Sequence, residues 1–515
     1  MNARCLPEAA PSLPQRHLLR SFDVFDTLIA RRCIEPRRVF DKLEAQLGMP
    51  GFAAARIAAE QAVATGAYTL MDIYAELARR NHWSAAQAEQ LAGCELQAEL
   101  DEVIPVAQHL QQLDGESLLI SDMYLSEAAV RALLRKAGLR QDLPLLLHAH
   151  GKSGGQVWRD LGTVGVQCVH LGDNPHSDVA NARAAGMRAR ATVLTKPNRF
   201  EKGLIRCGLR PLAEAWRAAR LSVAHDGLPD YLYALQTELN LPFLFVSALE
   251  LLSHAREAGA QRVLFSSRDG RHLQSMFDLL HGRLMPDSAL RSSYWYTSRW
   301  ARTSGDRQYL DYCRELFGKQ PLVVDLCGTG TSLKALFADM RLDVAPPVYV
   351  AVKVINDDIS RSQRGRYGLP GGDAADPLRF SFDNLSFLRN NRLEQLNYIP
   401  EGMVRGVRRV TGGWVPLREQ PEFDAATVRL LQSQSDFVAS FIEALDRELT
   451  PLLLTESMSR FGEVFKLLFE IVAASSAELQ ALEALFEDDD LTNENRLMGE
   501  MDMRCLQHAL AGEAG

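Results

Sequence analysis

Two aspartates three residues apart stand at the end of an apolar segment in "SFDVFDTLIARR", residues 21 to 32. Either one alone, Asp23 or Asp26, is the ordinary turn or cap aspartate found where strands hand over to helices. Three later segments change that reading. "LLISDMYL" ends an apolar run at Ser121 and Asp122, "HGKSGG" carries Lys152, and "HLGDNPHSD" supplies Asp173 and Asp178. Together they make the set that phosphoryl transfer through a carboxylate requires: an aspartate nucleophile, a cation that lets it approach an anionic phosphate, and donors for the equatorial oxygens. Thr27, Ser121 with its neighbour Asp122, and Lys152 are the phosphate-binding candidates, and Asp173 and Asp178 suit Mg²⁺, which takes a few carboxylates plus water.

These residues need a scaffold that brings four distant loops to one place. From 116 onward, apolar strands alternate with helical segments: "ESLLISDMYL", the helix "SEAAVRALLRKAG", the strand "LPLLLHAH", a helix around Trp158, the strand "VQCVHLGD" and the helix "SDVANARAAG". That alternation predicts a parallel sheet with helical crossovers, whose loops converge where the strands end. Residues 36–103 instead read as helix almost throughout, with capping boxes at Thr69/Asp72 and Ser84/Gln87.

In their order along the chain, "DVFDT", a strand ending in Ser121, "KSGGQVW" and "GDNPHSD" resemble the four motifs of the haloacid dehalogenase superfamily of phosphohydrolases. The resemblance spans residues 18 to about 195, and the helical block resembles that superfamily's cap domain. It also resembles a branch in which such a unit is fused to a long C-terminal region, associated with bacterial surface-polysaccharide gene clusters. The resemblance implies that Asp23 is the nucleophile, forming an aspartyl phosphate. It implies Mg²⁺ held by Asp23, the backbone carbonyl of Phe25 and Asp173, with Asp178 direct or one step removed. Thr27 and Ser121 would bond phosphoryl oxygens, and Lys152 would neutralise charge. One position departs from the pattern. Where superfamily phosphatases carry a second aspartate as acid and base, this chain has Phe25, and a phenyl ring exchanges no proton. Asp26 would face away if the strand continued; Asp26, or Glu60 and Asp72 of the helical block, would then supply the acid. Superfamily dehalogenases also lack the second aspartate but need no metal acids, so the Asp173/Asp178 pair favours phosphate chemistry.

A second alternating segment begins with "RVLFSSRDGRHLQSMFDLL" and runs through "PLVVDLCGTGTSLKALF" to "PVYVAVKVI". Arg268, Asp269, Asp325, Gly328, Thr329, Gly330 and Thr331 form an expected anion loop, with a helix N-terminus behind it. No Gly-Lys-Ser/Thr ending is present, so it is not a Walker loop. The loop more nearly resembles the ribose-phosphate loop of phosphoribosyltransferases, but Leu326 stands where that family has a second acid. A phosphate- or nucleotide-sugar-binding domain and a turn needed only for packing are the other readings. Tyr294, Trp295 and Tyr296 read as strand core.

The fold expected is α/β: a tail over 1–17, a Rossmann-like core over 18–35 and 104–195 with the helical cap over 36–103, a helical connector over 196–260, a second Rossmann-like domain over 261–404, and a hairpin with helices over 405–515. The hairpin turns on Gly412-Gly413, and "EDDD" at 487 reads as a solvated loop. The 515 residues suit about three domains. With 47% hydrophobic and 24% charged residues the composition is that of a globular protein, and a net charge of -8 gives no reason to expect nucleic acid. Eight cysteines without a CxxC pair point to a reducing, cytoplasmic setting. No apolar run reaches bilayer length; "LPFLFVSALELLSHA" from 241 reads as a buried helix, and the proline-bearing N-terminus as a tail rather than a signal peptide. The function expected is a Mg²⁺-dependent phosphohydrolase acting on a small phosphorylated metabolite, with a sugar phosphate as one candidate. The alternatives are a phospho-ligand-binding scaffold and phosphoribosyltransferase-like chemistry in the second domain. Protein partners would dock on the C-terminal helices.

Overall fold

The computed structural model describes residues 18–328, 330–353, 378–383, 390–419 and 424–485. The tail 1–17, Thr329 and the "EDDD" run lie outside them. The chain falls into two compact units that meet between Lys196 and Pro197. Each contains a five-stranded parallel sheet.

In the first unit β1 is Leu18–Asp23, β2 Ile29–Arg31, β3 Val103–Pro105, β4 Leu118–Asp122, β5 Leu145–His148, β6 Gln167–Gly172 and β7 Arg188–Ala191. The main sheet has the order β5-β4-β1-β6-β7, every pairing parallel. After building outward from β1 to β5, the chain returns to β6 on the other side of β1. Connections from these two strands therefore leave in opposite directions, opening a crevice at their carboxyl ends. β2 and β3 pair antiparallel, and between them run the helices Arg38–Leu47, Phe52–Val63, Leu70–Asn81 and Ala85–Glu102. The helical block thus enters and leaves through one short ribbon.

Both predicted capping boxes are formed. The insertion has its own core of Val39, Leu43, Phe52, Ile73, Tyr74 and Leu77. Arg56 is fully buried within it, bonding Glu95 through Nε and Nη2 (both 2.7 Å) and Glu60 through Nη1 (2.6 Å). Tyr124, three residues past Ser121, donates to the same Glu95 (3.1 Å) and so ties the loop after β4 to the insertion. Phe22, Leu119, Val130 and Leu133 fill one face of the sheet, while Ile120, Trp158, Cys168 and Met187 fill the other. β7, of sequence RARA, carries no apolar run to predict it by; its neighbour β6 pulls it into the sheet as an edge strand.

In the second unit β8 is Arg262–Ser266, β9 Arg291–Trp295, β10 Pro321–Gly328, β11 Val348–Lys353 and β12 Leu378–Asp383, in the order β12-β11-β10-β8-β9 and again all parallel. β13 (Val404–Val410) and β14 (Gly413–Arg418) form the predicted hairpin. The helix Leu241–Glu257 is buried on most sides, as its sequence requires. Helices before and after the sheet pack on each other: Trp216 meets Phe441 (5.0 Å between centroids) and Tyr233 meets Phe437 (5.5 Å). Among the described residues no helix is long and apolar enough to cross a membrane.

Candidate active site

At the crevice of the first sheet the predicted residues meet. Asp23 is the last residue of β1, Asp173 follows β6, and Asp178 lies on a π-helical turn, Pro175–Ala180. One carboxylate oxygen of each lies within 4.8 Å of the other two. Lys152, on the loop after β5 and 4% exposed, forms an ion pair with Asp23 and places Nζ 2.7 Å from Asp178 Oδ1. Thr27 Oγ1 donates to Asp23 Oδ2 (3.3 Å), and Ser121 is buried at the end of β4.

Two acids serve the scaffold. Asp122, expected near phosphate, accepts from the backbone N–H groups of Lys152 (2.8 Å) and Ser153 (2.9 Å) and from Ser153 Oγ (3.0 Å). It orders the lysine loop, which Asn181 also grips through the carbonyls of Lys152 and Ser153. Asp178 Oδ2 accepts from the Asn174 N–H (3.0 Å), while Oδ1 faces Lys152 Nζ within the acid cluster.

The short strand explains Asp26. β1 stops at Asp23, the N–H groups of Leu28 and Ile29 close on the Val24 carbonyl (2.9 and 3.0 Å), and Asp26 takes a left-handed φ of 55°. The expectation that it faces away assumed a continuing strand; here the turn brings its charge close enough to raise the pKa of Asp173. Sequence reasoning missed what pins this turn: His109 Nδ1 donates to the Thr27 carbonyl (2.7 Å) and Thr195 Oγ1 to that of Asp26 (2.8 Å). No local pattern announces either contact. The Phe25 ring lies beneath the Arg31 guanidinium (4.8 Å), itself paired with Glu99 (2.7 Å). Glu60 is engaged by Arg56 and by Tyr68 (3.1 Å), and Asp72 caps its own helix through Thr69 (2.8 Å), so the two acids expected from the insertion already have structural work.

Burial pushes Asp23 up to about 6, with Lys152 pulling down and Asp178 pushing up. Burial, then the charges of Asp23, Asp26 and Asp178, lift Asp173 to about 7. Asp178, despite burial, is held down at about 2 by His170 and Lys152. Burial pulls the Lys152 ammonium down, but Asp23 and Asp178 hold it above the usual lysine value. One ammonium thus faces more carboxylate than it can neutralise. An all-oxygen donor set with surplus negative charge fits a hard divalent cation such as Mg²⁺.

Gly172 makes this packing possible. A Cβ there would lie 2.4 Å from Asp178 Cγ and 2.5 Å from Oδ2. Gly172→Ala is therefore expected to drive Asp178 off Lys152, costing about 1–3 kcal/mol of stability in denaturant unfolding, with loss of divalent-cation protection in thermal melts.

No family model matches this chain, and a search of curated proteins finds no relative.

The second sheet gathers a different cluster. Arg302, 6% exposed and not foreseen from sequence, donates to Asp325 Oδ2 (2.8 Å), Ser332 Oγ (3.3 Å), Ser266 Oγ (2.8 Å) and Thr297 Oγ1 (3.0 Å). Asp325, expected to await a ligand, is thus tied to an internal arginine. Arg268 stacks on Tyr398 (4.1 Å) rather than standing free over an anion. Gly328 ends β10, Gly330 takes a left-handed φ of 75°, and Thr331 begins the helix Thr331–Met340. Trp295 is fully buried under Arg302, in keeping with a strand core.

Burial and the charge of Asp325 push Asp269 up to about 7. An unfolded aspartate titrates near 3.9, so between roughly pH 4 and 7 the folded state binds more protons than the unfolded one, and stability falls as pH rises. Asp269→Asn should remove this slope. At pH 8 the variant should exceed wild type by on the order of 2–4 kcal/mol, and the gain should shrink toward pH 4; denaturant unfolding at both pH values checks it.

Proposed function

We propose that the chain is a metal-dependent phosphohydrolase of the haloacid dehalogenase type, working through an aspartyl phosphate at Asp23 on a small phosphorylated metabolite. The observation that carries this reading is the meeting of Asp23, Lys152 and Asp173 in the crevice where the strand order reverses. A buried carboxylate next to a buried ammonium is what an anionic electrophile requires.

In the first step Asp23 attacks phosphorus, a carboxylate oxygen–phosphorus bond forms, and the ester oxygen departs with a proton from Asp26. In the second, water attacks the phosphorus, passes its proton to Asp26 and frees Asp23 and inorganic phosphate. Thr27 and Ser121 donate to the phosphoryl oxygens, and Lys152 balances their charge. Mg²⁺, held by Asp23, Asp173 and the Phe25 carbonyl, would add positive charge where the phosphoryl group accumulates negative charge. Asp26 takes the acid's role because it sits on the left-handed turn that follows Asp23 and its charge is felt at Asp173, while Glu60 and Asp72 are occupied elsewhere.

Phosphate release from a panel of sugar and nucleotide phosphates, with and without Mg²⁺, tests the proposal. Asp23→Asn should abolish release, and Asp26→Asn should lower kcat by about 10²-fold or more. Turnover surviving in Asp23→Asn would overturn it. Thermal protection by these ligands without any turnover would favour the phospho-ligand-binding scaffold.

A further inference from the structure

Beneath the acid cluster lies a histidine to which none of these steps gives a part. His170 is on β6, directly beside Ser21 of β1 in the sheet register, and has no solvent exposure. Its Nδ1 lies 3.0 Å from Ser21 Oγ. Its Nε2 lies 3.5 Å from Asp178 Oδ1, the oxygen that also faces Lys152 Nζ at 2.7 Å. Trp158 holds this arrangement from the side. Its ring packs edge-on to the imidazole (4.7 Å), and its indole N–H donates to the carbonyl of Ser177, the residue before Asp178 (2.9 Å).

We infer that His170 is a positioning residue: carrying its proton on Nε2, it donates to Asp178 and so leaves Lys152 available to Asp23, while the Ser21 hydroxyl, donating to Nδ1, selects that tautomer. The inference takes the Asp23 site as proposed above. The opposite tautomer would set a bare nitrogen lone pair against a carboxylate oxygen where both side chains are fully buried, which is costly. The competition for Lys152 follows from the distances. Asp178 Oδ2 is already satisfied by the Asn174 N–H, so only Oδ1 contends with Asp23 for the ammonium. A donor from His170 weakens that contention, and its loss draws Lys152 toward Asp178 and away from the atom that must reach phosphorus. Ser21, His170, Asp178, Lys152 and Asp23 thus form one chain of polar contacts from the interior of the sheet to the nucleophile.

Two readouts on the full-length protein decide it. Long-range nitrogen NMR of ¹⁵N-histidine-labelled protein, with the His170 signals identified by their absence in His170→Gln, should show a protonated Nε2 and an unprotonated, hydrogen-bonded Nδ1. Protonation at Nδ1 with a bare Nε2 would overturn the inference. In phosphate release, His170→Phe keeps the ring but removes the donor, and kcat should fall about tenfold, the loss of one hydrogen bond to a charged group. His170→Gln restores an N–H at a similar reach and should recover most of that loss. Equal impairment in both variants, with thermal melts showing both folded, would reduce His170 to packing and overturn the inference as well. If wild-type protein releases phosphate from no substrate, the phosphohydrolase reading fails, and the tautomer then decides the role of His170 by itself.

Discussion

Lys152→Met is expected to eliminate phosphate release and to cost about 3–5 kcal/mol of stability, the usual penalty for removing one partner of a buried ion pair. Lys152 is the cation shared by Asp23 and Asp178, which are 5% and 0% exposed. Without it two carboxylates face each other with no nearby ammonium, and the proton that burial already favours on Asp23 would be held more tightly still. A protonated aspartate is a poor nucleophile, so the catalytic loss should exceed what the loss of a phosphate contact alone explains. Two comparisons separate these effects. Asp23→Asn with Lys152→Met should be more stable than Lys152→Met alone, because one orphaned charge has gone. Divalent cations added to Lys152→Met should raise its melting temperature by more than they raise that of wild type, since they replace missing positive charge. Denaturant unfolding and thermal melts with and without Mg²⁺ check both; equal stability of Lys152→Met and wild type would show that the ion pairs carry no net structural weight.

Arg302→Met should cost the second unit a similar amount, again about 3–5 kcal/mol. This guanidinium links β8, the segment after β9, β10 and the helix Thr331–Met340 through Ser266, Thr297, Asp325 and Ser332. Its removal strands the Asp325 charge beside Asp269, whose proton burial and Asp325 already favour. Making the pair apolar as Arg302→Met with Asp325→Leu should recover much of the loss, since a buried ion pair replaced whole costs far less than one broken in half. A double variant no more stable than Arg302→Met would place the role of the arginine in its hydroxyl contacts instead. Urea unfolding of wild type and the two variants distinguishes these outcomes.

Both clusters share a cause in topology. Parallel strands send their loops to one edge, and a reversal of strand order leaves a gap between neighbouring loops. In the first sheet that gap lies between β1 and β6, and it receives Asp23 and Asp173; in the second it lies between β8 and β10, near Asp269 and Asp325.

Short-range physics made part of this legible in the chain itself. Alternating apolar strands and helices announced two parallel α/β sheets; the Thr69/Asp72 and Ser84/Gln87 boxes marked helix starts because each bond spans three residues; and Gly412-Gly413 marked a hairpin because a tight turn needs left-handed backbone. The strand-end motifs single out Asp23, Lys152, Asp173 and Asp178 by residue type and spacing. What those residues touch was a tertiary matter. Asp122, a phosphate candidate by its place beside Ser121, accepts from the backbone of Lys152, and the backbone at Asp26 leaves the strand because β1 ends at Asp23 and Asp26 is left-handed. Arg302 reaches Asp325 across 23 positions and Ser21 reaches His170 across 149, separations at which residue spacing carries no information. Periodicity and capping are properties of a few adjacent residues and survive in one dimension. The pairing of buried charges depends on which strands become neighbours, and that is settled only when the whole sheet closes around its core.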